Sequence, residues 1–211
     1  MNRVAWAAIV GAASLAGAAG YWFFGREVAP AVPALTAAPE GVLPQASPPR
    51  LAETVPEFQL ADREGKLRSL KDWQGKSLVV NFWATWCAPC RREIPLLQQI
   101  ARDRAADGFE VVGIAVDFRD KVLAYADEMQ IEYPLLIGEQ DALDAAAAFG
   151  VEAIGFPFTI FTDRKGRVVT AQMGELSASV ADLILDEVAA VNAGEQTPAE
   201  ARAVIEGLLR K

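Results

Sequence analysis

Residues Ser77-Leu78-Val79-Val80-Asn81-Phe82-Trp83-Ala84 form an uninterrupted run of apolar, β-branched and aromatic side chains with one amide in its middle. A run of this length and composition reads as a central strand buried on both faces, so the chain must supply a covering layer on each side of a sheet. The sequence downstream meets that demand. Phe109 to Val116 is a second buried strand, Asp120 to Gln130 a helix, Tyr133 to Ile137 a short strand and Asp141 to Phe149 an alanine-rich helix. This alternation predicts an α/β sandwich with parallel strands at its centre. Glu57–Leu60 and Lys66–Leu70 flank Asp62-Arg63-Glu64-Gly65, which suggests a hairpin on the N-terminal side. Phe158–Phe161 and Arg167–Ala171, joined through Asp163-Arg164-Lys165-Gly166, suggest an antiparallel hairpin that closes the sheet. Leu183 to Val191 reads as a packing helix. Thr197-Pro198-Ala199-Glu200 offers a cap, an N1 proline and an acid for a last helix to Lys211.

The only two cysteines sit directly after the central strand, in Trp86-Cys87-Ala88-Pro89-Cys90, and a stretch of helical periodicity (Ile94, Leu97, Ile100, Ala101) follows until Gly108. Pro95 lies inside that stretch and is expected to kink it. Open α/β sheets carry their sites at the carboxyl ends of strands, which is where Cys87 falls. Two sulfurs separated by two residues close a small reversible disulfide, and a helix N-terminus favours the thiolate. Other uses of such a pair fit poorly. A structural zinc site takes four ligands, usually Cys and His, and this chain has two cysteines and no histidine. Haem attachment requires a histidine after the second cysteine, where Arg91 stands. A purely structural staple between residues so close in sequence removes little entropy from the unfolded chain. No metal or other cofactor is implied.

After Met1-Asn2-Arg3, the segment Val4–Phe24 carries no charge and is long enough to cross a bilayer as a helix. Ala16-Gly17-Ala18 offers a cleavage pattern for a signal peptide, whereas Tyr21-Trp22-Phe23-Phe24 before Gly25-Arg26 suits the interface of an uncleaved anchor. The expectation is a single-pass anchor in the cell inner membrane, with Arg3 inside and the remainder in the periplasm or otherwise outside, in an oxidising compartment. Pro30, Pro33, Pro39, Pro44, Pro48 and Pro49 lie among alanines with little apolar periodicity. Such a linker is semi-rigid at about 3.1 Å per residue and reaches up to about 75 Å. The expected organisation is 1–25 signal anchor or signal peptide, 26–50 Pro/Ala-rich linker, 51–194 catalytic domain and 195–211 helical extension. A net charge of −8 argues against nucleic acid as a partner.

The segment Val79-Val80-Asn81-Phe82-Trp83-Ala84-Thr85-Trp86-Cys87-Ala88-Pro89-Cys90-Arg91-Arg92-Glu93-Ile94-Pro95 resembles the active-site strand and helix of membrane-tethered thioredoxin-like proteins of the TlpA/ResA type. The resemblance covers roughly Val55 to Val191. It implies a thioredoxin-like three-layer sandwich with a central mixed sheet, an N-terminal hairpin and an inserted strand and helix before Phe149. It also implies thiol–disulfide exchange outside the cytoplasmic membrane, often during cytochrome c maturation. Cys87 matches the exposed nucleophile and Cys90 the resolving cysteine. Glu93 matches an acid that ResA-like members carry three residues after the second cysteine, against the plainer reading of a solvated glutamate beside Arg91 and Arg92. Pro157 matches the cis-proline whose loop pairs with substrate, with Phe156 and Trp86 beside it. Trp83 is at least as well explained by core packing. Asn81 stands where ordinary thioredoxins carry a buried aspartate, which moves proton handling toward Glu93. Ile154-Gly155-Phe156-Pro157 is bulkier than the common pattern around that proline.

The expected partners are exported proteins carrying disulfides and a membrane thiol electron donor. Ala88-Pro89 places no charge between the cysteines to stabilise a thiolate, which favours a protein disulfide reductase. Within the same fold the alternatives are a thiol oxidase or isomerase. Outside it are a peroxidase, a copper-handling protein and a non-enzymatic interaction module. A peroxiredoxin places threonine three residues before its reactive cysteine, where this chain has Ala84. Copper delivery would want wider cysteine spacing and a histidine.

Overall fold

The computed structural model describes residues 50–151 and 155–210. The expected anchor and almost all of the proline-rich segment lie outside these residues. Among the described residues no helix is long and apolar enough to cross a membrane.

The elements in chain order are β1 (Leu60–Ala61), β2 (Leu67–Arg68), a 3-10 turn (Leu70–Trp73), β3 (Ser77–Trp83), α1 (Ala88–Asp103), β4 (Phe109–Val116) and α2 (Arg119–Glu128). There follow β5 (Leu135–Gly138), α3 (Gln140–Ala148), β6 (Phe158–Thr162), β7 (Val168–Met173), α4 (Ala178–Ala193) and α5 (Pro198–Leu209). The seven strands form one mixed sheet in the order β2-β1-β5-β4-β3-β6-β7. β3 pairs in parallel with β4, and β4 with β5, while β6 runs antiparallel to β3 and β7 antiparallel to β6. This is the thioredoxin-like sandwich, with the N-terminal hairpin β1–β2 joined to the edge of β5.

Alternation along β3 explains why a largely apolar run was required. Val79 and Trp83 face a core shared with α1, α2, α4 and α5. Leu78, Val80 and Phe82 face a second core with the 3-10 turn and α3. Every residue of β3 is buried. Asn81 points to the first of these faces by the same alternation.

Several boundaries differ from the sequence expectation. α1 begins at Ala88 rather than Arg91, because Cys87 itself caps it, and it runs through Pro95 to Asp103. The chain then turns through Arg104–Asp107 to Gly108 at φ 83°. α4 begins at Ala178, five residues before Leu183, because the Ser177 hydroxyl caps it. β5 starts after Pro134, which has no N–H for the ladder. The N-terminal hairpin is only two residues deep on each side. Gly150 holds φ 80° and lies so close to the Arg50 carbonyl that a Cβ would collide with it, which lets residues 50–55 pass across the end of α3.

Candidate active site

β3 delivers the chain to the C-terminal edge of the sheet, and Ala84–Trp86 make the turn into α1. Cys87 is the N-cap residue, with extended backbone (φ −84°, ψ 106°), and its sulfur accepts the Cys90 backbone N–H at 3.2 Å. The first amides of a helix have no carbonyl partners within it, so a sulfur placed there meets both a donor and the positive end of the helix dipole. Pro89 occupies the first turn, where its missing N–H costs nothing. Cys87 and Cys90 are joined as a disulfide across a Cα–Cα distance of 5.3 Å. Cys87 is 5 % exposed and Cys90 is fully buried. The nucleophile expected to be exposed is therefore largely covered in the oxidised protein, although it is the more accessible of the two sulfurs. An incoming sulfur reaches Cys87 first.

One turn beyond Cys90, Glu93 is buried at 2 % exposure, which disposes of the solvated-glutamate reading. Its Oε1 accepts from Asn81 Nδ2 at 2.7 Å and its Oε2 accepts from the Leu176 backbone N–H at 2.7 Å. Burial pushes the Glu93 carboxyl up to about 7, with both hydrogen bonds pulling the other way and Glu175 adding a small further rise. Near neutral pH this group holds a proton or gives it up with little bias. Asn81 suits both states. Its Nδ2 also donates to Thr159 Oγ1 at 3.0 Å, and its Oδ1 is buried with no partner. A protonated Glu93 therefore has an acceptor at hand after a flip of the Asn81 amide.

The opposite wall comes from the segment before β6. The Phe156–Pro157 peptide bond is cis. The Pro157 carbonyl accepts from the Gly174 N–H at 2.9 Å, and the Phe156 ring meets Trp86 edge-on at 6.1 Å between centroids. Trp86 is 68 % exposed, an unusual state for an indole beside a reactive centre, whereas Trp83 is fully buried in the core. Trp86 and Phe156 thus form an apolar surface next to Cys87 in the chain, with Pro157 buried behind Phe156. Trp83 does not contribute to that surface.

Three contacts were not anticipated. Thr159 is the direct β6 partner of Asn81, and its only advance signal was a polar residue inside another buried strand. Asp117, at the end of β4, accepts from the Thr85 backbone N–H at 3.2 Å and from its hydroxyl, bracing the turn before Cys87. The Leu176 amide carries no side-chain signal at all. Among the described residues no cluster of three or more His, Cys, Asp or Glu is placed to hold a metal ion.

A disulfide at a helix N-terminus on a thioredoxin-like sheet, with a buried acid one turn along that helix, defines a thiol–disulfide oxidoreductase of the thioredoxin fold. Residues 51–174 match the AhpC/TSA family, and the chain belongs to it. It is 33 % identical to the thiol-disulfide oxidoreductase ResA of Geobacillus thermodenitrificans, over 56 % of this chain and 66 % of that protein. It is 32 % identical to the thioredoxin-like protein YneN of Bacillus subtilis, over 64 % of this chain and 78 % of that protein. Among solved structures, a thiol:disulfide interchange protein of the thioredoxin family from Chlorobium tepidum TLS is similar with a TM-score of 0.58 and 32 % identity. That similarity covers 66 % of this chain and 97 % of that one.

Proposed function

We propose that this protein is an extracytoplasmic protein disulfide reductase, tethered to the inner membrane by Val4–Phe24, which passes electrons from a membrane thiol donor to exported proteins, apocytochromes c among them. The observation that carries the direction of electron flow is the buried Glu93 one turn beyond buried Cys90, with no charge between the cysteines. A strong oxidant needs a heavily stabilised Cys87 thiolate, and the uncharged Ala88-Pro89 pair supplies only the helix terminus. The uncharged leader supports the location, and the relatives named ResA support the class of reaction.

In the reduced protein the Cys87 thiolate attacks one sulfur of a substrate disulfide. A mixed disulfide forms, and the other substrate sulfur leaves as a thiolate that takes a proton from water. Cys90 then gives its proton to the Glu93 carboxylate and attacks the Cys87 sulfur, expelling the second substrate sulfur as a thiol after protonation. The protein dithiol has become the Cys87–Cys90 disulfide, and the substrate disulfide a dithiol. The membrane donor then reduces the protein again. The cis-Pro157 backbone and the Trp86–Phe156 surface hold the substrate segment extended against the cysteines.

Replacing Cys90 with serine removes the resolving step. The C90S protein, expressed in an exporting host, is expected to accumulate mixed disulfides through Cys87 that dithiothreitol releases, and the trapped proteins name the substrates. The wild-type reduction potential is expected on the reducing side, at about −200 mV or below. A potential near the −120 mV or so of periplasmic oxidases would overturn the reductase assignment. The mass of the mature chain distinguishes a retained anchor from cleavage after Ala18.

A further inference from the structure

The three residues Gly174–Leu176, between β7 and α4, touch three different parts of the site. The Gly174 N–H donates to the Pro157 carbonyl at 2.9 Å, and the Leu176 N–H donates to Glu93 Oε2 at 2.7 Å. Between them Glu175 accepts a forked set of bonds from Arg92: Nε at 3.1 and 3.0 Å and Nη2 at 2.5 Å. Arg92 and Glu93 are neighbours on α1, as Glu175 and Leu176 are on the loop. The ion pair and the Leu176–Glu93 bond are therefore two parallel rungs, one in solvent and one buried. Gly174 has φ 82° with open space where a Cβ would lie, so its glycine serves the turn alone.

An exposed pair of this kind adds little to the stability of the fold. Its forked geometry is nevertheless the strongest that an arginine and a carboxylate make, and it lies directly over the inner rung. We propose that Arg92 and Glu175 form a positioning clamp, which holds the Gly174–Leu176 loop on α1 so that the Leu176 amide stays on Glu93 and the Pro157 backbone stays opposite the cysteines. Substrate docking against Pro157 and proton transfer at Glu93 are thereby coupled through one short loop. The inference rests on Glu93 being the proton acceptor for Cys90.

The groups that act on Glu93 are Asn81 from β3 with Thr159 behind it on β6, the Leu176 amide and Glu175 from the loop, and Tyr133 from the segment before β5, while Arg92 precedes it on α1 and is engaged by Glu175. Opening the outer rung admits water, which lowers the Glu93 pKa, and loosens the Leu176 N–H bond, which raises it; burial is the larger of the two influences, so the net movement is downward. Removing Glu175 also removes a negative charge, so E175Q acts twice in the same direction. R92Q leaves Glu175 bare, so its two effects oppose one another.

The test uses the detergent-solubilised full chain in its reduced form and the neutral probe 2,2′-dipyridyl disulfide, whose first thiopyridone release reports Cys87 and whose second reports attack by Cys90. The acid-side inflection of the second phase is expected near the Glu93 pKa. In E175Q it is expected to move down by about half a pH unit, a roughly threefold rate change on the acid limb. R92Q is expected to move it less. In 1 M salt, where the screening length is about 3 Å, the wild type is expected to move toward the E175Q profile, and the charge-swapped R92E/E175R protein is expected to recover only the part of the shift that opening of the loop causes. If E93Q loses the inflection while E175Q keeps the wild-type profile, the clamp is overturned and the role of Glu93 stands. If E93Q itself keeps the wild-type inflection, the role of Glu93 falls and the clamp falls with it.

Discussion

Two donors hold the Glu93 carboxylate, and burial still outweighs them, leaving its pKa at about 7 against an ordinary 4.5. The sign of the linked stability effect follows directly. The folded protein binds this proton more tightly than the unfolded chain, so stability is fullest below about pH 4.5, falls as the pH rises to about 7 and is level above that. A shift of this size corresponds to a loss on the order of 3 kcal/mol across the window. In E93Q the group cannot ionise, and Asn81, with its unpartnered Oδ1, can accept from the new amide. Urea unfolding of the oxidised proteins between pH 4.5 and 8 is expected to show the wild type losing stability through that interval relative to E93Q. Parallel curves would place the Glu93 pKa near its ordinary value. Much of this residue's setting was legible beforehand. Asn81 stood out as the one amide in an apolar strand, and the spacing from Cys90 put Glu93 one turn along the helix. Its burial was not legible, because a glutamate flanked by Arg91 and Arg92 looks solvated, and the donor that holds it is the backbone of Leu176, which leaves no trace in side-chain pattern.

β4 occupies the span that its apolar run predicts, and β3 ends one residue short of Ala84, because uninterrupted burial on both faces makes the length of the run the length of the strand. α1 was harder to delimit. Its cap is a cysteine sulfur rather than the usual Ser, Thr, Asp or Asn, so its first turn was invisible to capping rules. Pro95 suggested an interruption, yet the helix continues past it with Ile94, Leu97 and Ile100 still on the buried face. Proline at this position has no N–H for the Arg91 carbonyl, and its ring is exposed, so no packing is lost on replacing it. Pro95→Ala is expected to raise stability by about 2 kcal/mol. That figure sets the roughly 3 kcal/mol interior penalty of proline against the 0.4–1 kcal/mol or so by which it restricts the unfolded chain. The measurement is the denaturation midpoint. A decrease would mean that the proline relieves a conflict in α1 that an unbroken helix would suffer.

At the scale of the whole molecule, the family match ends at residue 174, in the turn after β7, so both α4 and α5 lie beyond it. β7 is the outer strand of the sheet, and an open strand edge is a template for pairing with another chain. Two segments cover it. The Glu53 backbone carbonyl accepts from the Val168 N–H at 2.9 Å, and Thr54 bridges to Arg167. From α5, the Arg202 guanidinium donates to the Val168 carbonyl at 2.9 Å and the Val169 carbonyl at 2.8 Å, while Ala201 and Ile205 are buried beneath the helix. The Thr197–Glu200 capping box anticipated from the sequence starts that helix at Pro198. Its docking on β7 was not anticipated, since Arg202 reads as one more surface charge until the edge carbonyls are placed beside it. Ending the chain after Gly194 removes the buried Ile205 and the edge cover together. The expected cost is about 2–4 kcal/mol, with self-association visible by light scattering. R202A keeps the burial and removes only the donors, so it is expected to cost about 1–2 kcal/mol. No hydrogen bond of the redox site involves residues 195–210, and the rate at which Cys87 attacks a small disulfide is expected to be the same in both variants as in the full chain. A truncated protein that stays monomeric with its midpoint unchanged would show that α5 rests on the sheet without stabilising it. A monomeric, unshifted R202A beside a destabilised truncation would assign the whole effect to apolar burial rather than to cover of the β7 edge.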